Sequence, residues 1–118
     1  MNKLEILEKA KSNILKSEKV FIADWEDYVV VRQLSGKQYI DVSNDCLVGN
    51  SVDRKKFLNY AIISSVYDDN GEQVFSNDDL ETLLGLSADA YSSLVMAITR
   101  LNNLDGETKH SKNLKKVN

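Results

Sequence analysis

The chain has 118 residues, 42% of them hydrophobic and 28% charged, and carries a formal net charge of −3. That is about one domain with one small core. The acidic balance disfavours a nucleic-acid binder, which works through a basic field, and apolar runs of only a few residues cannot span a bilayer.

Cys46 is the sole cysteine, so no disulfide can close within the chain. This suits a reducing compartment, with the thiol acting as a small buried hydrophobe. Met1-Asn2-Lys3-Leu4-Glu5 brings an acid early and contains no apolar segment, so it does not read as a secretory signal. Proline is absent, which leaves turns to Gly, Asn, Asp and Ser.

In chain order, Leu4, Leu7, Ala10, Ile14 and Leu15 fall on one side of a helix over residues 2–17. Glu5 and Lys9 form an i,i+4 pair on its polar side. Such a helix is marginal alone and is expected to dock, on the following sheet or on a partner chain. Val20-Phe21-Ile22 and Tyr28-Val29-Val30-Val31 are strand-forming. They predict a hairpin over 19–33 with the acidic turn Asp24-Trp25-Glu26-Asp27, and with Phe21 and some of the valines in the core. Ser35 and Gln38 have the spacing of a capping box. Tyr39, Val42, Cys46 and Leu47 follow at helical spacing, and Gly49-Asn50-Ser51 ends that short helix.

Residues 54–67 carry mixed signals. Arg54-Lys55-Lys56-Phe57-Leu58 could open a helix, whereas Ile62-Ile63 and Val66-Tyr67 favour a strand. The reading adopted is a strand near 58–67, a turn at Asp68-Asp69-Asn70-Gly71, and an antiparallel return over 72–75. Ser76 to Asp79 is a second capping box. Leu80, Leu83 and Leu84 form one helix face, Gly85 is placed as a left-handed terminator, and Leu86 folds back. Ser87 caps a last helix with the stripe Tyr91, Leu94, Val95, Ile98 and Leu101. The fold class is therefore α+β: a small antiparallel sheet packed by an N-terminal helix and C-terminal helices, one domain over 1–104.

Residues 105–118 lack periodicity and predict a flexible polar tail. Lys109, Lys112, Lys115 and Lys116 against Asp105 and Glu107 make it +2, opposite in sign to the −5 of the rest.

Reactive constellations are scarce. His110 is the only histidine and lies in that tail, which argues against Ser–His, Cys–His and His–metal chemistry. No P-loop, G-x-S-x-G or G-x-G-x-x-G is present. Asp68, Asn70, Glu72, Asp78 and Asp79 fail as a calcium loop. With Gly71 at position six, positions one and twelve are Val66 and Asn77, neither a carboxylate. Trp25 either seals the edge of the core, the commoner use of such a ring, or serves as a binding anchor. The tail lysines, without aromatic neighbours on an acidic protein, make a poor site for nucleic acid or membrane. No cofactor is expected.

Several segments taken in order resemble the tail assembly chaperones of long-tailed bacteriophages and prophages. They are Ala23-Asp24-Trp25-Glu26, Tyr28-Val29-Val30-Val31-Arg32, Leu34-Ser35-Gly36, Ser65-Val66-Tyr67-Asp68-Asp69-Asn70-Gly71, Val74-Phe75-Ser76, Asp79-Leu80 and Leu101-Asn102-Asn103-Leu104. The likeness covers about residues 18–104. The chain departs from it at Ala23-Asp24, where the family often has a proline, and in the Tyr39-Ile40-Asp41-Val42 helix, which the family usually builds from glutamate and alanine.

The resemblance implies a non-enzymatic protein of the bacterial host cytoplasm, absent from the mature virion. Such a protein binds the tape measure protein and keeps its apolar helical stripes soluble until the tail tube assembles. Further partners implied are the tail tube protein and a frameshifted longer form of the chain itself. Trp25 and the tail residues Leu114, Lys115, Lys116 and Val117 are the candidate partner-binding residues, and an adenine run encoding Lys115-Lys116 would mark the frameshift. Two alternatives stand: a structural virion part such as a tail terminator or head–tail connector, and a calcium- or small-molecule-binding module.

Overall fold

A computed structural model describes residues 1–104 of the chain. The elements are α1 (Lys3–Lys11), β1 (Ser17–Ile22), β2 (Asp27–Arg32), α2 (Gly36–Asp45), β3 (Leu47–Val48), β4 (Ser51–Val52), α3 (Arg54–Ser65), β5 (Val66–Tyr67), α4 (Leu80–Leu84) and α5 (Ala88–Asn102). Short 3-10 turns at Ala23–Trp25 and Asn77–Asp79 complete them. The main sheet is antiparallel in the order β1-β2-β5, so the α+β class expected from the sequence holds. The expectation of a flexible tail concerns residues 105–118, outside those described.

The hairpin forms where its strand-prone residues place it. Val20 pairs with Val29, Phe21 with Tyr28 and Ile22 with Asp27, and Glu26 turns the chain at φ 50°. Val20, Ile22 and Val31 point inward and are buried. Phe21 does not join them: it is 49% exposed and packs across the strands on Tyr28 with ring centroids 5.1 Å apart. Side chains alternate along a strand, so once Val20 and Ile22 face the core the ring between them must face out.

The strand expected near 58–67 is corrected to a helix for all but its end. Asp53 caps α3 by accepting from the Lys56 N–H at 3.0 Å, and only Val66 and Tyr67 extend into the sheet, opposite Val31 and Val30. Phe57, Ala61, Ile62, Ile63 and Ser65 are all buried. A helix covered on most sides shows a near-continuous apolar run, which periodicity cannot separate from a buried strand. The return over 72–75 does lie alongside: Gln73 bridges to Tyr67, and the Val74 N–H donates to the Val66 carbonyl at 3.0 Å.

α5 is the backbone of the core. Ala90, Leu94, Ala97 and Ile98 are buried along one side of it, and they pack with residues of the sheet and α3 in one cluster. Ser87 caps it, accepting from the Ala90 N–H at 3.1 Å. Gly85 is not left-handed: its φ is −84° and its N–H still bonds the Glu81 carbonyl at 3.0 Å. α4 stops because Ser87 starts the next helix two residues on. Leu86 packs back on the core.

α1 departs most from expectation. It is nine residues long and buries none of them; Leu4 is 72% exposed and Ile14, beyond its end, 86%. The sheet face that carries Val20, Ile22 and Val31 is taken by α5. Around α2, the Ser35–Gln38 capping box is complete, and Val42 and Cys46 are buried while Tyr39 and Leu47 are half exposed. The expected end at Gly49-Asn50-Ser51 is instead the turn of the small β3–β4 hairpin, with Gly49 at φ +63°.

Candidate partner-binding surface

Several polar side chains around the end of α5 and the acidic turn are committed to holding the fold. Asn102 on α5 accepts from the Leu34 N–H at 2.9 Å and donates to the Ile98 carbonyl at 3.0 Å. Gln33 donates to the Leu101 carbonyl at 3.0 Å. Asn103 ends the helix in the left-handed region at φ 52°, and the Leu104 N–H returns to the Thr99 carbonyl at 3.1 Å. The Leu101-Asn102-Asn103-Leu104 segment is thus a helix terminator and a clasp on the β2–α2 connection. Asp68 accepts from the Asn70 and Glu72 N–H groups at 2.8 and 2.9 Å, which closes the acidic turn with a backbone role for its carboxylate.

Among the described residues two groups titrate away from their ordinary values, both upward. Burial first, then Asp45 and Asp53, pushes the Cys46 thiol up from 9.0, so it stays protonated and poorly nucleophilic. Burial pushes the Tyr91 phenol up from 10.0; it donates to the Asn59 side-chain oxygen at 2.5 Å. Among the described residues no cluster of three or more His, Cys, Asp or Glu is placed to hold a metal ion. No helix among them is long and apolar enough to cross a membrane.

Apolar surface is what the molecule offers instead. Leu4, Ile6 and Leu7 stand out on α1, Phe21 and Tyr28 on the sheet, and Tyr39, Ile40, Leu47, Val48 and Val52 around α2 and the small hairpin. An open cleft of about 240 Å³ lies between α2, β4, α3 and the end of α5, walled by Tyr39, Ser43, Val52, Arg54, Phe57, Leu58 and Leu104. Exposed apolar groups on this scale mark interaction surfaces.

Trp25, the one candidate site residue within the described part, is 42% exposed at the hairpin tip. It is not among the residues of the core cluster. Leu114, Lys115, Lys116 and Val117 lie outside the described residues. The exposed sheet face with Phe21 and Tyr28 was missed in the sequence. Strand parity was the signal that could have found it, since four of the five aliphatic positions in the two strands, Val20, Ile22, Val29 and Val31, fall on one face.

Fold and surface together define a small α+β domain: a three-stranded antiparallel sheet covered on one face by a long helix, with apolar side chains left outward. No family model matches the chain, and no curated protein matches it. Among solved structures, the tail assembly chaperone of bacteriophage HK97 aligns with a TM-score of 0.55 and 21% identity, over 82% of this chain and 97% of that one. The chain therefore has a tail-assembly-chaperone-like fold.

Proposed function

We propose that this protein is a tail assembly chaperone of a phage or prophage, which binds the tape measure protein in the host cytoplasm and holds it soluble until the tail assembles. The observation that carries the reading is the agreement of fold across nearly the whole HK97 chaperone chain. The exposed apolar side chains of the sheet and of α1 support it physically. A long amphipathic helix loses roughly 25 cal/mol for each Å² of apolar area left in water, and a small acidic domain can cover such area and lend it charge. The chaperone acts by binding, with no covalent step.

Co-expression tests it. The long helical reading frame of the same tail gene cluster, produced alone, should pellet; produced with this chain it should remain soluble and co-purify. Equal insolubility in both cases overturns the proposal. Mass spectrometry of finished particles should find the chain absent, whereas a stoichiometric amount would make it a structural virion part.

A further inference from the structure

The face of the main sheet turned away from α5 carries a specific set of side chains. By register and alternation, Lys19 and Phe21 of β1, Tyr28, Val30 and Arg32 of β2, and Tyr67 of β5 share it. The pairing sets Phe21 beside Tyr28, Lys19 beside Val30, and Val30 beside Tyr67. Their same-strand neighbours Val20, Ile22, Val31 and Val66 are buried on the opposite face. Phe21 and Tyr28 are 49% and 54% exposed, and the Arg32 guanidinium lies 4.0 Å from the centre of the Tyr67 ring.

The charges of this face run against the rest of the molecule. Residues 1–104 sum to −5, yet Lys19 and Arg32 are the only charged side chains that β1, β2 and β5 place on this face. The one ion pair among the described residues joins Arg100 to Glu18, so neither cation is paired with a described carboxylate. Three strands spaced about 4.8 Å apart make a strip roughly 10 Å wide, the width of one α-helix.

From this we infer that the open sheet face, centred on Phe21, Tyr28 and Val30 and flanked by Lys19 and Arg32, docks an amphipathic helix of a partner protein whose apolar stripe is bordered by carboxylates. The inference rests on the proposed chaperone role and names the surface that serves it. Neither α1 nor residues 105–118 suit this face by charge. α1 sets Lys3, Lys9 and Lys11 against Glu5 and Glu8, and residues 105–118 sum to +2; both would bring like charge to Lys19 and Arg32. Single-stranded RNA can also stack on aromatic sheet faces, but it would approach a body, residues 1–104, whose net charge is −5.

Binding of labelled probes to the full chain, followed by fluorescence anisotropy, tests the surface. The probes are a synthetic helix with a leucine stripe flanked by glutamates, the same helix flanked by lysines, and poly-uridine RNA. The glutamate helix should bind, the lysine helix at least about tenfold more weakly, and the RNA not at all; Phe21→Ser should weaken the glutamate helix by about tenfold. Lys19→Glu, at an exposed position, should weaken the glutamate helix and strengthen the lysine helix. It carries the test if Phe21→Ser loses its native circular dichroism. Equal binding of both helices, an unchanged affinity in Phe21→Ser or Lys19→Glu, or capture of RNA by these residues overturns the inference. If Phe21→Ser still keeps the tape measure protein soluble, the chaperone role stands and this surface falls. If the wild-type chain fails to solubilise it while the helix results hold, the role falls and the surface stands.

Discussion

Replacing Asn102 by alanine isolates the clasp between α5 and the β2–α2 connection. The side chain accepts from the Leu34 N–H at 2.9 Å and donates to the Ile98 carbonyl at 3.0 Å. Leu34 is only 7% exposed, so its N–H cannot turn to bulk water when the acceptor is lost. An orphaned backbone donor of this kind costs about 1–3 kcal/mol. The Ile98 carbonyl keeps its intrahelical partner, so the second bond adds little. A loss near 2 kcal/mol corresponds to a melting temperature lower by roughly 8–15 °C in a domain of this size. Urea unfolding followed by Trp25 emission and far-ultraviolet circular dichroism measures it, with an unchanged m-value expected. A variant within about 0.5 kcal/mol of wild type, the range of an ordinary surface change, would show that the clasp is decorative. Asn103→Gly supplies the contrast. At φ 52° glycine relieves left-handed strain, so stability should hold or rise slightly.

Leu94→Ala, at a fully buried position on α5, should cost about 2–5 kcal/mol, read from the same urea curves. Leu4→Ser on α1 should change stability by less than about 0.5 kcal/mol, because α1 buries nothing; a larger loss would restore the docked helix. Ser35→Ala should cost about 0.5–2 kcal/mol by removing one half of the capping box. Cys46 and Tyr91 both have native values raised above 9.0 and 10.0. Their contribution is full below those ordinary values and lost as pH rises through the native ones. Stability should therefore fall in the alkaline range, and Cys46 should react with a thiol reagent only once the chain is unfolded by urea.

The sequence and the structure agree where the signal is local. Ser35–Gln38, Ser76–Asp79 and Ser87 cap helical turns because a hydroxyl two or three residues from a free N–H needs nothing distant to reach it. The hairpin over 19–33 and the α5 stripe were likewise legible, since β-branched runs and 3.6-residue spacing report on the chain itself. The candidate site was much less so. Trp25 could be placed at a turn, but its exposure depends on what packs beneath that turn. Leu101-Asn102-Asn103-Leu104 stood out without its purpose, because Asn102 bonds to Leu34, 68 residues away.

What the residues alone determined is the α+β class, the caps and turns, and the acidic sign of the body. Each follows from interactions within a few positions, or from composition. Tertiary structure decided the rest. It made 54–65 a helix, because a segment buried on most sides loses the periodicity that would identify it. It turned Phe21 outward, because one strand's parity is chosen by which of its residues the core can hold. It left α1 without a seat on the sheet face that carries Val20, Ile22 and Val31, because α5 had already taken it. Competition for a single small core is a property of the whole chain, and no local window of sequence contains it.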